Sequence, residues 1–515
     1  MVKMATFVGQ QTTDASTGSA TVNGWVFPEG MTEVGENDHV AINAPMVISG
    51  QQSAVSGQQS ANSLSVKSFG LCGNENTTNG SITIEDGAQL YCEVARGEVT
   101  VKKEILGYQQ SAVSSQQSES ESKWYTIASP LKDTLQISDP QFLSSSIPQF
   151  LSSNSDLYRY DEPSYTWQNA KNSAENGFNS IDPGRGYLYA NANDTVLEFT
   201  GMINTDEVTY NLTTDGNVLT GFHLVGNPFT HNITFAHLNA TKGAELVNGY
   251  YVLNGEGAWG VTLGNNAEDV IKPGQGVLVK AASAGTLAIS RQPSAVSRQR
   301  SGKGQQTTDN GQQSLCISVS NAKYSDRAFV VFDKGVGLDK MNHENENIPL
   351  LYIPQNETDY AIAMMDMNVN EIPVNFETNV MGQYTISLQQ KNCEFDELYL
   401  YDKVADVTVN ILAEDYSFIA TSNDTPERFV LLMMNDNSQQ TTDNSPWVYV
   451  NNGDVVITNI SGNANIRIFD AMGRCVYQGE SSDETTRIAN RFNTGVYVIQ
   501  KVDDNGVKVQ KLMID

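Results

Sequence analysis

The 515-residue chain is poor in basic residues. Its lysines and arginines number 31 against 59 aspartates and glutamates, so the formal net charge is −28 at pH 7. Phosphate backbones and anionic lipid surfaces repel such a chain, because no basic stripe offsets the repulsion. The charge therefore argues against a nucleic-acid partner and against electrostatic binding to an anionic membrane.

Long apolar runs are also missing. The longest ones, such as residues 429–434, are much shorter than the roughly 18 residues that a membrane-spanning helix needs. The N-terminal sequence MVKMATFVGQQTTD contains no apolar stretch of about 7–15 residues, which is the core of a secretory signal peptide. We therefore expect neither a transmembrane span nor an N-terminal export signal in this chain.

Cysteines are few and widely spaced. The five are Cys72, Cys92, Cys316, Cys393 and Cys475. No two of them form a C-x-x-C pair, which argues against zinc ribbons and thiol redox motifs. In an oxidising compartment Cys72 would pair with Cys92, or Cys316 with Cys393. Burial as small apolar side chains is the alternative.

Catalytic signatures are absent. The sequence has no H-E-x-x-H, G-x-S-x-G, P-loop or G-x-G-x-x-G motif, and His231 and His237 are six apart, which fits no common zinc spacing. No two of the many carboxylates can be singled out as a glycosidase pair. We expect no enzyme activity, no catalytic residue, no metal site and no cofactor. Trp124, Trp167 and Trp259 are candidates for stacking on sugar rings, with packing in a core as the alternative.

What the sequence does contain is typical of a β-protein. It has 39% hydrophobic residues, 41 glycines and 17% charged residues, a balance common in extracellular all-β proteins. Short β-branched and aromatic runs, such as residues 276–280 and 328–332, predict strands, and no window shows a helical period. The pairs Asp215-Gly216, Asn452-Gly453 and Asn505-Gly506 suit tight hairpins. We predict an all-β chain of tandem β-sandwich or jelly-roll-like domains.

Short polar repeats interrupt the chain. The pentapeptide QQTTD occurs at residues 10–14, 305–309 and 439–443, and QQSAVS occurs at residues 51–56 and 109–114. These segments contain no aromatic residues, so they cannot bury enough apolar surface to offset the entropy of ordering. We interpret them as flexible linkers or loop insertions.

The repeats predict four domains. Residues 1–108 form a strand-rich and incomplete segment, either a short β-solenoid or an open sandwich. Residues 123–290 form a β-rich surface domain and residues 316–436 a β-sandwich. Residues 446–515 form a compact antiparallel sandwich of about seven short strands.

The last of these domains carries the most specific pattern. D-x-x-G-R at residues 470–474, G-V-Y-V at residues 495–498 and the terminal K-L-M-I-D follow one another at strand–turn spacing. This pattern resembles the immunoglobulin-like C-terminal sorting domain of type IX secretion cargo, the Por secretion family. The residues that match its recurrent positions, and so form the expected sorting signal, are Gly473, Arg474, Gly495, Val496, Tyr497 and Lys511.

Weaker similarity extends upstream. Residues 123–130, 183–189, 221–229 and 272–277 look like the body of many such surface proteins. The resemblance implies a Gram-negative bacterium whose cargo is presented to an outer-membrane translocon and sortase machinery. The sorting domain is then usually removed, and the body is released or linked to lipopolysaccharide.

From the resemblance we expect a non-catalytic protein, secreted or attached to the cell surface, that is adhesive or binds glycans on a host or matrix surface. The alternative is the C-terminal remnant of a secreted peptidase or glycoside hydrolase whose catalytic domain lies upstream. Because such cargo carries an N-terminal export signal, we also expect coding sequence upstream of Met1.

Overall fold

The computed structural model confirms the all-β fold. It describes residues 4–7, 25–26, 34–42, 44–48, 63–71, 80–107, 123–137, 154–172, 177–216, 219–241, 244–253, 255–266, 268–291, 311–433, 447–451, 453–471, 473–489, 492–503 and 506–514. Within these ranges there are strands and two short 3₁₀ turns, Ala170–Asn172 and Phe235–His237, but no α-helix. The QQTTD and QQSAVS copies lie outside the described residues, so their interpretation as linkers stays a prediction.

The chain divides into two compact units, Met1–Asn310 and Gly311–Asp515. The described strands of the first unit are β1 (Met4–Phe7), β2 (Trp25–Val26), β3 (His39–Ile42), β4 (Pro45–Ile48), β5 (Ser63–Leu71), β6 (Ser81–Ile84), β7 (Gln89–Arg96), β8 (Val99–Ile105), β9 (Tyr125–Ala128), β10 (Leu135–Gln136), β11 (Ser155–Asp161), β12 (Thr166–Asn169), β13 (Ser180–Ile181), β14 (Gly186–Asn191), β15 (Thr195–Gly201), β16 (Val208–Leu212), β17 (Phe222–Gly226), β18 (Ile233–Thr234), β19 (Leu238–Thr241), β20 (Glu245–Leu246), β21 (Tyr250–Leu253), β22 (Trp259–Thr262), β23 (Val270–Ile271), β24 (Gly276–Ser283) and β25 (Gly285–Ile289).

Strands β3 to β8 alternate between two sheets. Strands β1, β3, β5 and β7 pair in parallel in one sheet, while β4, β6 and β8 pair in parallel in the other. A chain that visits two parallel sheets in turn has the topology of a β-solenoid. Of the two alternatives for the N-terminal segment, the described strands have the solenoid topology.

The solenoid continues into the next part of the unit. Strand β8 pairs with β15 in antiparallel fashion, from Thr195 opposite Ile105 to Gly201 opposite Val99. One apolar core includes side chains from Ala5 to Ile203. The predicted domains 1–108 and 123–290 therefore share a sheet and a core, and their independence as folding domains stays a prediction.

A buried carboxylate shapes the loop between β16 and β17. Glu162 accepts hydrogen bonds from the backbone amides of Asp215, Gly216 and Gly221 at 3.2, 2.8 and 2.9 Å. Burial would raise the pKa of Glu162, but these bonds and one from Thr213 hold it below its usual value. Because β16 pairs with β25 and β17 with β24, the prediction of a tight hairpin at Asp215-Gly216 is wrong.

The described strands of the second unit are β26 (Ser314–Ser320), β27 (Ser325–Phe332), β28 (Leu338–Asp339), β29 (Leu350–Gln355), β30 (Thr358–Met365), β31 (Glu371–Glu377), β32 (Gly382–Lys391), β33 (Leu398–Asp402), β34 (Val407–Asn410), β35 (Tyr416–Ala420), β36 (Phe429–Met433), β37 (Val448–Asn451), β38 (Asp454–Ile457), β39 (Ala464–Asp470), β40 (Cys475–Ser481), β41 (Thr486–Ile488), β42 (Gly495–Asp503) and β43 (Gly506–Ile514). We call residues 311–433 the preceding sandwich and residues 447–514 the C-terminal sandwich.

Strand β29 joins the two layers of the preceding sandwich. Its first half, from Leu350, pairs with β31, and its second half, from Ile353, pairs with β30. A strand that changes sheets forms a corner, and the inward side chains of both layers fill one core. The core side chains alternate along the strands, as in Phe429, Leu431 and Met433 of β36.

An ion pair is buried in this sandwich. Lys340 Nζ lies 2.5 Å from Asp326 Oδ2, and both side chains are only 2% exposed. The same carboxylate accepts the Leu351 amide at 2.7 Å and has His343 Nε2 at 3.4 Å. Burial would raise the pKa of Asp326, but Lys340 and His343 hold it below its usual value. The pair ties β27 to β29 and to the loop after β28.

The described cysteines Cys92, Cys316, Cys393 and Cys475 are free thiols, so the bridge between Cys316 and Cys393 is not formed. Burial raises the pKa of the Cys92 thiol to about 12, as expected for a small buried side chain. Cys72 lies outside the described residues. In the part of the chain that the structure describes, no helix is long and apolar enough to cross a membrane.

Replacing Asp326 by Asn should destabilise the second unit by about 3–5 kcal/mol, because it leaves the buried Lys340 ammonium without its counter-charge. Asp333→Asn, at an exposed position of the same sandwich, is the matched control and should change stability by less than about 0.5 kcal/mol. Differential scanning calorimetry measures both. Equal unfolding temperatures for the two variants would contradict the assigned role of the ion pair.

Candidate functional site

The C-terminal sandwich consists of two sheets. Strands β37, β38 and β41 form one, and β40, β39, β42 and β43 form the other, in that order. Strands β37 and β38 form a hairpin in which Asn451 pairs with Asp454, so the turn predicted at Asn452-Gly453 is confirmed. Strands β42 and β43 also form a hairpin, but Asp503 pairs with Gly506, so Gly506 belongs to the strand and the turn predicted at Asn505-Gly506 is displaced by one residue.

The four-stranded sheet makes apolar contacts on both of its faces. In β39, Ile466 and Ile468 point into the core of the C-terminal sandwich, as Tyr497 and Ile499 do in β42. The alternate residues Phe469 and Val498 belong to a second cluster with Tyr401 and Leu432 of the preceding sandwich. We call these four residues the docking cluster, and the joint is the set of contacts between the two sandwiches. Tyr399, Val430, Cys475 and Val509 pack against its edge.

Polar contacts surround the docking cluster. Arg467 donates a hydrogen bond to the Tyr401 hydroxyl at 3.3 Å and lies over its ring, 5.6 Å from the centroid. Gln500 Nε2 donates to Glu371 Oε1 at 3.0 Å. Burial raises the pKa of Glu371, although Gln500, Lys403 and Arg467 oppose the shift. These residues line a cavity of about 250 Å³ at the edge of the joint.

A second contact between the sandwiches is made by main chain. Gly473 has a φ of +74°, in the region that favours glycine. The amide of Thr408 in β34 donates to the Gly473 carbonyl at 2.8 Å, and Val407 forms a bridge with Arg474. A Cβ on Gly473 would lie 1.3 Å from the Thr408 carbonyl oxygen. The turn therefore requires glycine both for its backbone conformation and for its approach to the neighbouring strand.

Residues 451–515, which include nearly all of this sandwich, match the family model of the secretion system C-terminal sorting domain. These residues are a type IX sorting domain. The chain thus carries the sorting tail of a secreted or cell-surface protein. The chain therefore does carry one targeting signal, its sorting tail. The expected absence of an N-terminal export signal concerns a different segment and stays a prediction.

Other comparisons add little to this. No curated protein matches the chain. Among solved structures, one match is PorZ, an essential bacterial surface component of the type-IX secretion system of Porphyromonas gingivalis. The sequences are 16% identical, and the alignment covers 33% of this chain and 25% of PorZ with a TM-score of 0.13. The chain thus spans about a quarter of the length of that protein.

The six expected sorting residues fall into four environments. Gly473 and Lys511 contact the preceding sandwich, the latter through an ion pair of 3.0 Å with Glu397. Tyr497 is buried in the sorting domain, where its hydroxyl donates to the Asn493 carbonyl at 2.9 Å. Arg474 has a side chain that is 67% exposed, with an ion pair to Asp470 at 2.8 Å. Gly495 and Val496 are half-buried at the start of β42.

The sorting domain contains a fully buried ion pair between Lys501 and Asp503. Lys501 Nζ lies 2.7 Å from Asp503 Oδ2 and donates to the Asn459 carbonyl at 2.5 Å. The ammonium also lies 5.6 Å from the centroid of the Trp447 ring, and Asp503 accepts the Ser461 amide at 3.1 Å. The pair therefore fixes the connection between β38 and β39 against β42. The sequence pattern singled out only the nearby pair Asn505-Gly506 as a turn and did not predict this ion pair.

The three tryptophans proposed for sugar stacking lie in different environments. Trp259 is 1% exposed and packs edge-on against Tyr251, so it presents no face to a ligand. Trp124 and Trp167 are half-buried and are tilted against Tyr158 and Tyr160 by 68° and 48°. Neither forms a coplanar pair with a ring that the structure describes.

The titratable groups of the first unit also have structural contacts. His223, His231 and His237 are buried, and burial lowers the pKa of each, that of His231 to about 4. His231 stacks on Phe229 with an interplanar angle of 8°. Within the described ranges, no three His, Cys, Asp or Glu side chains are grouped so that they could hold a metal ion.

Sequence reasoning missed the residues that form the joint. Arg467, Phe469, Val498 and Gln500 all lie on the second face of β39 or β42. The available signal was the near absence of alternation in VYVIQ, because a strand that is buried on both faces loses its polar positions. The run at residues 429–433 in β36 carries the same signal.

Replacing Gly473 by Ala should destabilise the sorting domain and its joint by roughly 2–5 kcal/mol, from backbone strain and overpacking against Thr408. Hydrogen exchange at the Thr408 amide should increase, since that amide donates to Gly473. Gly495→Ala is the matched control, because its Cβ would meet only the Tyr497 ring at 3.9 Å. Unchanged protection of Thr408 in the Gly473 variant would refute the assigned contact.

Replacing Glu371 by Gln should raise the unfolding temperature of the second unit at pH 7. A carboxyl group whose pKa is raised by folding stabilises the folded state fully only below its ordinary pKa of about 4.5. This stabilisation is lost as the pH rises through the raised pKa. Glutamine stays neutral and keeps the oxygen that accepts from Gln500, so the gain should shrink towards pH 4. The exposed Glu414→Gln is the control, and a lower unfolding temperature at pH 7 would contradict the prediction.

Proposed function

We propose that the protein is a non-catalytic cargo of type IX secretion, whose sorting domain is read by the outer-membrane translocon and the sortase machinery. The observation that carries the proposal is the folded sorting domain at residues 451–515. Such a domain acts as an address through its surface, so its exposed residues are the ones available to the machinery.

The exposed residues of the sorting domain include one of the expected sorting residues and part of its edge strand. Arg474 is largely exposed, and Met513 of the edge strand β43 is 61% exposed. An edge strand offers unpaired backbone groups to a partner. We therefore assign the recognised surface to Arg474 and β43, since Gly473 is covered by Thr408.

The contacts of charged residues in the preceding sandwich support a non-catalytic body. Arg428 forms a forked pair with Asp402 at 3.0 and 2.7 Å and stacks over Phe418 and Phe429. Tyr416 donates to the same Asp402 carboxylate at 2.9 Å. Together with the pair of Asp326 and Lys340, these buried ions fix strands and loops in place.

The finer parts of the proposal concern the mature protein. We propose that the body is released or linked to lipopolysaccharide after the sorting domain is removed, and that it acts as an adhesin at a glycan, host or matrix surface. Trp124 and Trp167 are the two aromatic positions that remain for contact with sugars, because both are partly exposed.

Fusing residues 446–515 to a periplasmic reporter with a general export signal tests the sorting function. In a bacterium with type IX secretion the reporter should reach the surface or the medium, and it should stay in the periplasm when the translocon is deleted. A reporter fused to residues 316–436 is the control and should stay in the periplasm in both strains. Periplasmic retention of the sorting-domain fusion in the wild-type strain would refute the proposal, and a lipopolysaccharide ladder on a blot would identify the link.

A further inference from the structure

On the second face of its four-stranded sheet, the sorting domain carries apolar side chains that the preceding sandwich covers. Phe469 and Val498 are 1% and 5% exposed, yet neither points into the core of its own sandwich. Between them and around them lie Arg467 and Gln500, which bond to the preceding sandwich. Without that cover, two large apolar side chains would face solvent on adjacent strands.

The preceding sandwich has a matching face. In β33, Leu398 and Leu400 point into its own core, whereas Tyr399 and Tyr401 point towards the sorting domain. In β36, Val430 and Leu432 do the same. An apolar centre surrounded by polar contacts is the ordinary anatomy of a protein–protein interface.

We propose that the preceding sandwich is a non-covalent docking partner for the sorting domain, so that the two stay bound after the chain between them is cut. The connecting residues only raise the effective concentration of one partner near the other. The joint itself consists of the docking cluster, the bonds from Arg467 and Gln500, the ion pair of Lys511 and Glu397, and the main-chain contact at Gly473. This proposal concerns the joint alone and does not depend on the export function.

Replacing the QQTTD segment at residues 439–443 of the full chain by a site for a sequence-specific protease tests it. After complete cleavage at micromolar protein concentration, both fragments should elute together in size-exclusion chromatography. Elution of the C-terminal fragment as a separate small species would overturn the proposal.

A charge in the docking cluster or at its edge should release the fragment. Val430→Lys changes only the preceding sandwich, so release in this variant cannot result from unfolding of the sorting domain. Val498→Lys places the charge on the opposite side of the joint. Both cut variants should lose most of the co-elution, at least tenfold in the bound fraction at equal concentration.

The matched controls carry the same substitution at exposed valines. Val404→Lys lies in the preceding sandwich, where the side chain is 57% exposed, and Val476→Lys lies in the sorting domain, where it is 43% exposed. Both should co-elute as the unsubstituted protein does. Co-elution of Val430→Lys and Val498→Lys at the control level would show that these faces do not hold the fragments together, and it would also overturn the proposal.

Discussion

Apolar packing on both faces of the sheet formed by β40, β39, β42 and β43 is the constraint on which the second unit depends. Side chains alternate strictly along a strand, so each face has to find its own apolar partner. One face packs against β37, β38 and β41, and the other against the preceding sandwich through Phe469 and Val498. A shift of one residue in β39 or β42 would exchange the two sets and place Arg467 and Gln500 in the core.

The turn at Gly473 depends on the same arrangement. Because the preceding sandwich covers the second face, β34 lies close enough for its Thr408 amide to donate a hydrogen bond to the turn. A glycine that the sequence pattern attributes to the sorting signal therefore has a physical reason within this chain. Recognition by an outside partner and packing against the body are two separate reasons for a glycine at position 473. The contact with Thr408 shows that packing alone is sufficient.

The fold class and the sorting domain could be predicted from the sequence because both rest on local signals. Alternation along NIRIF and the pairs Asn452-Gly453 and Asn505-Gly506 are enough to predict strands and hairpins. The contacts of Arg467 with Tyr401 and of Gln500 with Glu371 join residues that are far apart in the chain, and no local pattern encodes them. Asp215-Gly216 failed as a hairpin for a similar reason, since the distant carboxylate of Glu162 fixes that loop.

The polar repeats fall between consecutive described strands of the chain. The QQSAVS copy at residues 51–56 falls between β4 and β5, and that at residues 109–114 falls between β8 and β9. The QQTTD copies at residues 305–309 and 439–443 likewise fall between consecutive strands, β25 and β26 in one case and β36 and β37 in the other. For linkers, which the sequence predicts these copies to be, added length costs little, because loop-closure entropy grows only slowly with length and strand register is untouched. On that prediction, short polar segments could be duplicated at these points without a change in any sheet.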